Sequence, residues 1–254
     1  MSLAIDRQAE VWVLTMERQR HRNAVDRAQA RRLVEAFEAF EADERATVAI
    51  LRGGGGEFCS GADLKAFARG EGNRLERSGS GPMGPTRMRL SKPVIAAVEG
   101  HAVAGGLELA LWCDLRVADT TAVFGVYCRR FGVPLIAGGT YRLPRVIGEG
   151  RAMDMILTGR SVEAEEAHRI GLCDRLVEKG RALEEARALA TRLAAFPQAC
   201  LRADRQSVYR GWGLHEEEAL SAEFDRGLSV IDEARRGSEA FAQGQGRHGR
   251  FDPE

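Results

Sequence analysis

Net charge, paired cysteines and a long apolar run are all missing from this chain of 254 residues. Lysine plus arginine total 37 and aspartate plus glutamate total 37, so no bulk charge draws the protein to nucleic acid. Cys59, Cys113, Cys128, Cys173 and Cys200 are odd in number, widely spaced and free of any CxxC pair. That pattern argues for reduced thiols in a cytoplasmic protein and against a disulfide framework or a thiolate metal site; no metal is assigned. The opening stretch MSLAIDRQAEVWVLTME carries Asp6, Arg7 and Glu10 and has no signal-peptide core. Glu99, Glu108 and Asp114 interrupt the most apolar internal stretch, so no segment is expected to span a membrane. Short-period repeats and an obvious interdomain linker are absent as well.

What is present is ordinary globular composition, 44% hydrophobic and 29% charged, in a length that suits one large α/β domain or a domain with an appendage. Two basic stretches stand out locally: Arg18 to Arg32, with six arginines and His21, and Arg235 to Arg250. A solvated face and a phosphate contact both fit such runs. No aromatic interleaving supports nucleic-acid binding.

Alternation in VWVLTM predicts a strand, Asn23 or Asp26 is placed to cap a helix bearing Leu33, Val34, Phe37 and Phe40, and TVAILRG reads as a buried strand. DLKAFARG starts a short helix. The Gly-, Ser- and Pro-rich stretch from Gly70 to Pro85 is expected to be mobile when nothing is bound. PVIAAVEG is a further strand leading into glycines and a helix through Trp112, and DLRVADTTAVFG supplies short strands. From Gly148 the pattern turns helical. SVEAEEAHRIG reads as a helix capped by Ser161 and ended by Gly171, LCDRLVEKG as a strand and turn, and RALEEARALATRLAAF as a helix stopped by Pro197. A helical tail continues through Phe251.

Two stretches share one design, a strand running through small residues into a helix: EFCSGADL, Glu57 to Leu64, and HAVAGGLEL, His101 to Leu109. Small residues let a ligand approach the backbone, and a helix's first turn leaves N–H groups without internal partners. Two such donors converging on one oxygen make an oxyanion hole, worth roughly 3 to 4 kcal/mol per donor when charge develops there.

Together with SKPVIAAVEGHAVAGGLELALWCDLRVAD, FGVPLIAGGTYRL, the N-terminal RNAV and the C-terminal SEAFAQ, these stretches resemble the enoyl-CoA hydratase/isomerase family, also called the crotonase family, over nearly the whole chain. The resemblance implies an α/β fold of the crotonase/ClpP-like type. A spiral of ββα units would occupy residues 1–195, and a C-terminal helical region, 196–254, would pack on the core or on a neighbouring subunit. It further implies a homotrimer or a hexamer of paired trimers, acyl-CoA thioesters as substrates, no partner among nucleic acids or membranes, and no cofactor beyond the substrate's own coenzyme A. By the same resemblance the backbone N–H groups of Ala62 and Gly105 hold the thioester oxygen. The coenzyme would lie along Ala24, Gly61, Ala62, Asp63 and Leu64, with Arg20 or Arg22 as its basic contact and Lys92 or the C-terminal basic residues reaching its phosphates.

Glu108 stands one helical turn past Gly105 and matches one of the two glutamates of resembling hydratases, so it is the candidate acid/base. The second glutamate follows an FG pair in those proteins. Aligned on Phe124-Gly125, its place here is taken by Cys128, and Thr120 to Gly148 contains no Asp or Glu to stand in. A neutral thiol orients water poorly, so two-carboxylate hydration is in question. Hydration of a 2-enoyl-CoA is the primary expectation. Double-bond isomerisation and decarboxylation use the same enolate, and a non-catalytic acyl-CoA-binding protein is the alternative from another class. A serine hydrolase is remote, because Ser60 has no visible His or Asp partner. His101 reads as a packed, hydrogen-bonded histidine or as a pocket wall, and His168, His215 and His248 show no ligand spacing.

Overall fold

The computed structural model describes residues 2–246. These residues form two compact units, one ending at Thr191 and one beginning at Arg192. His248, Arg250 and Phe251 lie outside the described residues.

In the first unit the alternating segments pair as an antiparallel hairpin, β1 (Leu3–Gln8) with β2 (Val11–Met16). Asp26, not Asn23, caps α1 (Arg27–Ala42): its Oδ1 accepts the Gln29 N–H at 2.8 Å, and Leu33, Ala36, Phe37 and Phe40 form the helix's buried stripe. Then β3 (Val48–Gly53) joins parallel to β2, and α2 (Leu64–Ala68) is capped by Asp63. Between Arg69 and Gly84 there is no helix or strand, as the Gly- and Ser-rich composition predicts.

Next come β4 (Val94–Val98), β5 (His101–Val103) and α3 (Gly105–Trp112). All eight residues of α3 are buried, which explains why its sequence shows no polar stripe. They are followed by β6 (Leu115–Asp119), β7 (Val123–Gly125), a 3-10 turn at Tyr127–Phe131, α4 (Gly139–Ile147) and α5 (Glu149–Thr158). The unit closes with β8 (Ser161–Glu163), α6 (Ala164–Arg169), β9 (Arg175–Val177) and the start of α7 (Ala182–Ala195).

The chain's winding is visible in the strand order. One six-stranded sheet runs β1-β2-β3-β4-β6-β9 and a three-stranded sheet runs β5-β7-β8. In successive turns β4 and β6 enter the larger sheet while β5 and β7 enter the smaller one, so each strand-strand-helix turn stacks on the one before. Cys59 continues the smaller stack by bridging in parallel to Ala102. Both strand-to-helix loops are thereby delivered to the same edge.

Two local readings need correction. Ser161 does not cap a helix; it pairs with Gly125 in β8, its hydroxyl lies 2.7 Å from Tyr127 Oη, and the helix starts three residues later without a side-chain cap. The helical stretch read from Gly148 begins earlier, at Gly139, where α4 forms despite Pro144 and despite glycine at its first position.

In the second unit, α7 ends and α8 (Gln198–Gly211), α9 (Glu216–Leu228) and α10 (Ile231–Ala242) follow. Neither α9 nor α10 buries a residue, and Leu220, Phe224, Leu228, Ile231 and Phe241 are exposed.

Candidate active site

The two small-residue loops meet. A methyl group placed on Gly61 would lie 3.0 Å from the backbone nitrogen of Gly105, and Gly61 sits at φ +101°, so both the contact and the conformation require glycine. Ala62 is anchored on its other side by a parallel bridge to Val25: the Val25 N–H donates to Gly61 O at 2.8 Å and the Asp63 N–H to Val25 O at 3.0 Å. Alternation along that bridge leaves the Ala62 N–H turned away from Val25. Ala104, at φ 53° and ψ −123°, makes the sharp bend that ends β5 and turns the chain into α3, a conformation an L-residue holds only under constraint from its surroundings. Gly105 is then the first residue of α3, where no intrahelical acceptor exists. Among the described residues neither the Ala62 nor the Gly105 N–H has a protein acceptor.

Both residues line a cavity of about 440 Å³ whose walls include Leu64, Phe67, Leu75, Val103, Phe131, Val133 and Ile136, with Glu108, Cys128, Tyr127 and His101 among its polar members. Glu108 is 3% exposed. Its Oε1 accepts two backbone N–H groups, from Ala137 and Gly139, each at 2.8 Å. Burial pushes the carboxyl above its ordinary 4.5, while those two donors and the nearby Arg142 guanidinium oppose the rise. Cys128 lies on the opposing 3-10 turn. Burial and then the charge of Glu108 push its thiol up, so it stays neutral beside the carboxylate. The remaining buried thiols are inert for the same reason, Cys59 being pushed up to about 12 and Cys173 to about 11 by desolvation.

His101 is both a packed histidine and a wall of the cavity. Glu57 Oε2 accepts its backbone N–H at 2.7 Å and meets Nδ1 at 2.9 Å. Ser60 also faces the cavity, but its hydroxyl donates to the His21 carbonyl at 3.3 Å and meets no imidazole or carboxylate. Among the described residues no cluster of three His, Cys, Asp or Glu is placed to hold a metal ion.

The coenzyme residues named from the sequence divide. Arg22, in the left-handed region at φ 47°, lines the cavity with Ala62, Asp63 and Leu64; Arg20 is exposed on a 3-10 turn away from it. Ala24 is buried and gives its carbonyl to Arg18. Asp63 caps α2 through the Ala66 N–H and pairs with Arg18 at 3.0 Å; burial raises its carboxyl, but these partners outweigh it and hold it below the usual range.

Lys92 is a correction. It is 4% exposed, and its Nζ donates to the carbonyls of Phe40, Glu41 and Asp43 at 2.8, 2.9 and 2.7 Å. It closes the C-terminus of α1, where orphan carbonyls and the helix dipole favour a cation, and it is not placed to reach a phosphate.

Sequence reading missed the carboxylate clamp itself. The residues that hold Glu108, Ala137 and Gly139, act through backbone N–H groups that any residue except proline supplies. Also missed is a wider depression of about 960 Å³ that shares Asp63 with the cavity and is edged by Arg27, Arg31, Lys65, Arg69 and Arg74. Residue spacing alone does not bring α1 and α2 onto one rim.

A family model described as enoyl-CoA hydratase/isomerase matches residues 6–247. The chain is 35% identical over 248 residues to enoyl-CoA hydratase EchA19 of Mycobacterium tuberculosis, covering 94% of this chain and 92% of that protein. It is 33% identical over 250 residues to 2,3-dehydroadipyl-CoA hydratase of Escherichia coli, covering 95% of each. The crystal structure of enoyl-CoA hydratase EchA1 from Mycobacterium marinum superposes with a TM-score of 0.90 at 36% identity, covering 95% of this chain and 96% of that one.

Proposed function

Because this chain belongs to the enoyl-CoA hydratase/isomerase family, we propose that it adds water across the 2,3 double bond of a 2-enoyl-CoA thioester to give a 3-hydroxyacyl-CoA. One observation carries the reading: two N–H donors without protein acceptors, on Ala62 and Gly105, share an apolar cavity with a buried carboxylate, Glu108.

In this reaction the thioester oxygen accepts both N–H groups. As a water oxygen bonds to C3, the π electrons of the 2,3 double bond shift to join C2 to C1 and the carbonyl pair moves onto the thioester oxygen, and the two donors stabilise the resulting enolate by roughly 3 to 4 kcal/mol each. Glu108, with Oε1 clamped by Ala137 and Gly139, takes the water's proton on its other oxygen. The enolate then collapses and C2 takes that proton back from Glu108. A single carboxylate thus moves one proton from oxygen to carbon, and the elements of water are all accounted for. A carboxyl raised by burial suits both halves of this exchange. Cys128, neutral beside it, contributes no second base.

The same observation about Cys128 favours a second reading. A lone carboxylate that removes a proton from one carbon of a thioester and returns it to another shifts a double bond without water, which is isomerisation. Incubation with a panel of 2-enoyl and 3-enoyl thioesters tests both. A 3-hydroxyacyl product is expected from the 2-enoyl substrates. A moved double bond with no hydroxyl gained replaces the first reading with the second, and tight binding without turnover, indifferent to Glu108→Gln, leaves only a binding protein.

The coenzyme is proposed to run past Ala62, Asp63 and Leu64, with its phosphates toward Arg22 and the basic rim that includes Lys65. No cofactor beyond that coenzyme is required by the chemistry. Self-association as a trimer or hexamer is supported by the exposed apolar side chains of α9 and α10, and a light-scattering mass tests it. A cytoplasmic location is supported by the five free thiols.

A further inference from the structure

Arg142 belongs to the stretch GGTYRL, to which no role attaches from its residue types alone. Its Nη1 donates to Ala137 O at 3.1 Å and its Nη2 to Thr86 O at 2.7 Å. Ala137 is the residue whose N–H holds Glu108 Oε1. The guanidinium therefore grips one end of the peptide pair whose other end grips the carboxylate. Gly138, between the two clamp residues, lies at φ +103°, and a methyl group on it would stand 2.1 Å from Arg142 Nη1, so the turn is shaped around the guanidinium. The bond to Thr86 extends the link to the 3-10 turn Pro85–Arg87; nearby, Met83 packs on Gly105, a methyl there meeting its Sδ at 2.6 Å.

We infer that Arg142 is a positioning residue for Glu108: it fixes the Ala137–Gly139 turn that clamps the carboxylate. Its positive charge beside that turn also favours the ionised form that must take a proton. The inference rests on the assignment of Glu108 as the acid/base. The groups facing Glu108 are few. The Cys128 thiol approaches from the 3-10 turn, Arg142 and the two N–H donors from α4 and the turn before it, and no other charged side chain of α3 itself is present. Removing Arg142 takes away the one cation of that set.

The test has two readouts. The first is the titration of the Glu108 carboxylate, followed by infrared difference between each protein and its Glu108→Gln counterpart, with no substrate present. The second is the pH profile of kcat/KM on a 2-enoyl thioester. In Arg142→Gln both the titration and the acid limb move to higher pH, and kcat at neutral pH falls on the order of tenfold to a hundredfold with a smaller change in KM. Arg142→Lys, which keeps a charge but not the two-carbonyl grip, shows a smaller move in the same direction. A Glu108 titration unmoved in folded Arg142→Gln overturns the inference; if that variant does not fold, an unmoved titration in Arg142→Lys does so. If no thioester is turned over but the titration moves, the hydratase reading fails and the role of Arg142 stands.

Discussion

The Gly139 N–H donates to Glu108 Oε1 at 2.8 Å, and a methyl group on Gly139 would lie 3.0 Å from Glu108 Cγ. One glycine therefore holds the carboxylate and leaves room for it. Gly139→Ala, at a helical backbone conformation that alanine accepts, is expected to displace the Glu108 side chain. A fall in kcat on the order of tenfold, with the melting temperature changed little, is the outcome to look for by steady-state kinetics and calorimetry.

Glu108→Gln keeps the shape of the side chain and an oxygen for the two N–H donors, but its amide cannot take a proton. Hydration should fall by about 10² to 10⁴-fold in kcat, with KM little changed, when loss of the enoyl substrate is followed directly.

The same substitution has a stability consequence whose sign follows from burial. Glu108 in the fold is raised above its ordinary 4.5, so the folded state holds its proton to higher pH than the unfolded state does. The group's contribution to stability is therefore fully present below about 4.5, the unfolded value, and is lost as pH rises through the higher folded value. Glu108→Gln carries no such loss. Relative to the wild type its stability should improve as pH rises through that window and then level off, and the difference should shrink again as pH falls toward 4.5, as measured by denaturant unfolding across pH.

Cys128→Glu places a second carboxylate across the cavity from the first. If water is the co-substrate, the second acid/base should raise hydration by at least about tenfold. A gain confined to double-bond isomerisation in a thioester panel would count against water as the natural co-substrate.

Lys92→Met removes the donor to three carbonyls at the end of α1. A loss of about 2 to 4 kcal/mol in unfolding free energy is expected, with KM for the thioester unchanged. Arg22→Ala, at the cavity's rim, should do the reverse: raise KM and leave stability within about 0.5 kcal/mol.

Much of this protein is legible in local sequence because it depends on local physics. Alternation in VWVLTM, a capping residue at Asn23 or Asp26 and the apolar run through Trp112 each specify an element by what neighbouring residues need to bury or bond. The two glycine-bearing turns announce exposed N–H donors for the same reason, and Glu108 is conspicuous because a carboxylate at the head of an apolar helix requires partners. Where two local signals compete, sequence misleads: Ser161 looks like a cap, yet pairing with Gly125 and a bond to Tyr127 outcompete the helix start.

Tertiary structure alone decided which charges are available for chemistry. Lys92 and Arg142 are both basic residues near glycine- or proline-bearing segments, and nothing in their spacing separates them. Folding buries the first against the carbonyls of α1 and sets the second beside the carboxylate clamp, because each cation goes where backbone carbonyls from distant segments happen to converge. That convergence spans 52 residues for Lys92 and Phe40 and 56 for Arg142 and Thr86, a range over which only the assembled core, and no local pattern, fixes who meets whom.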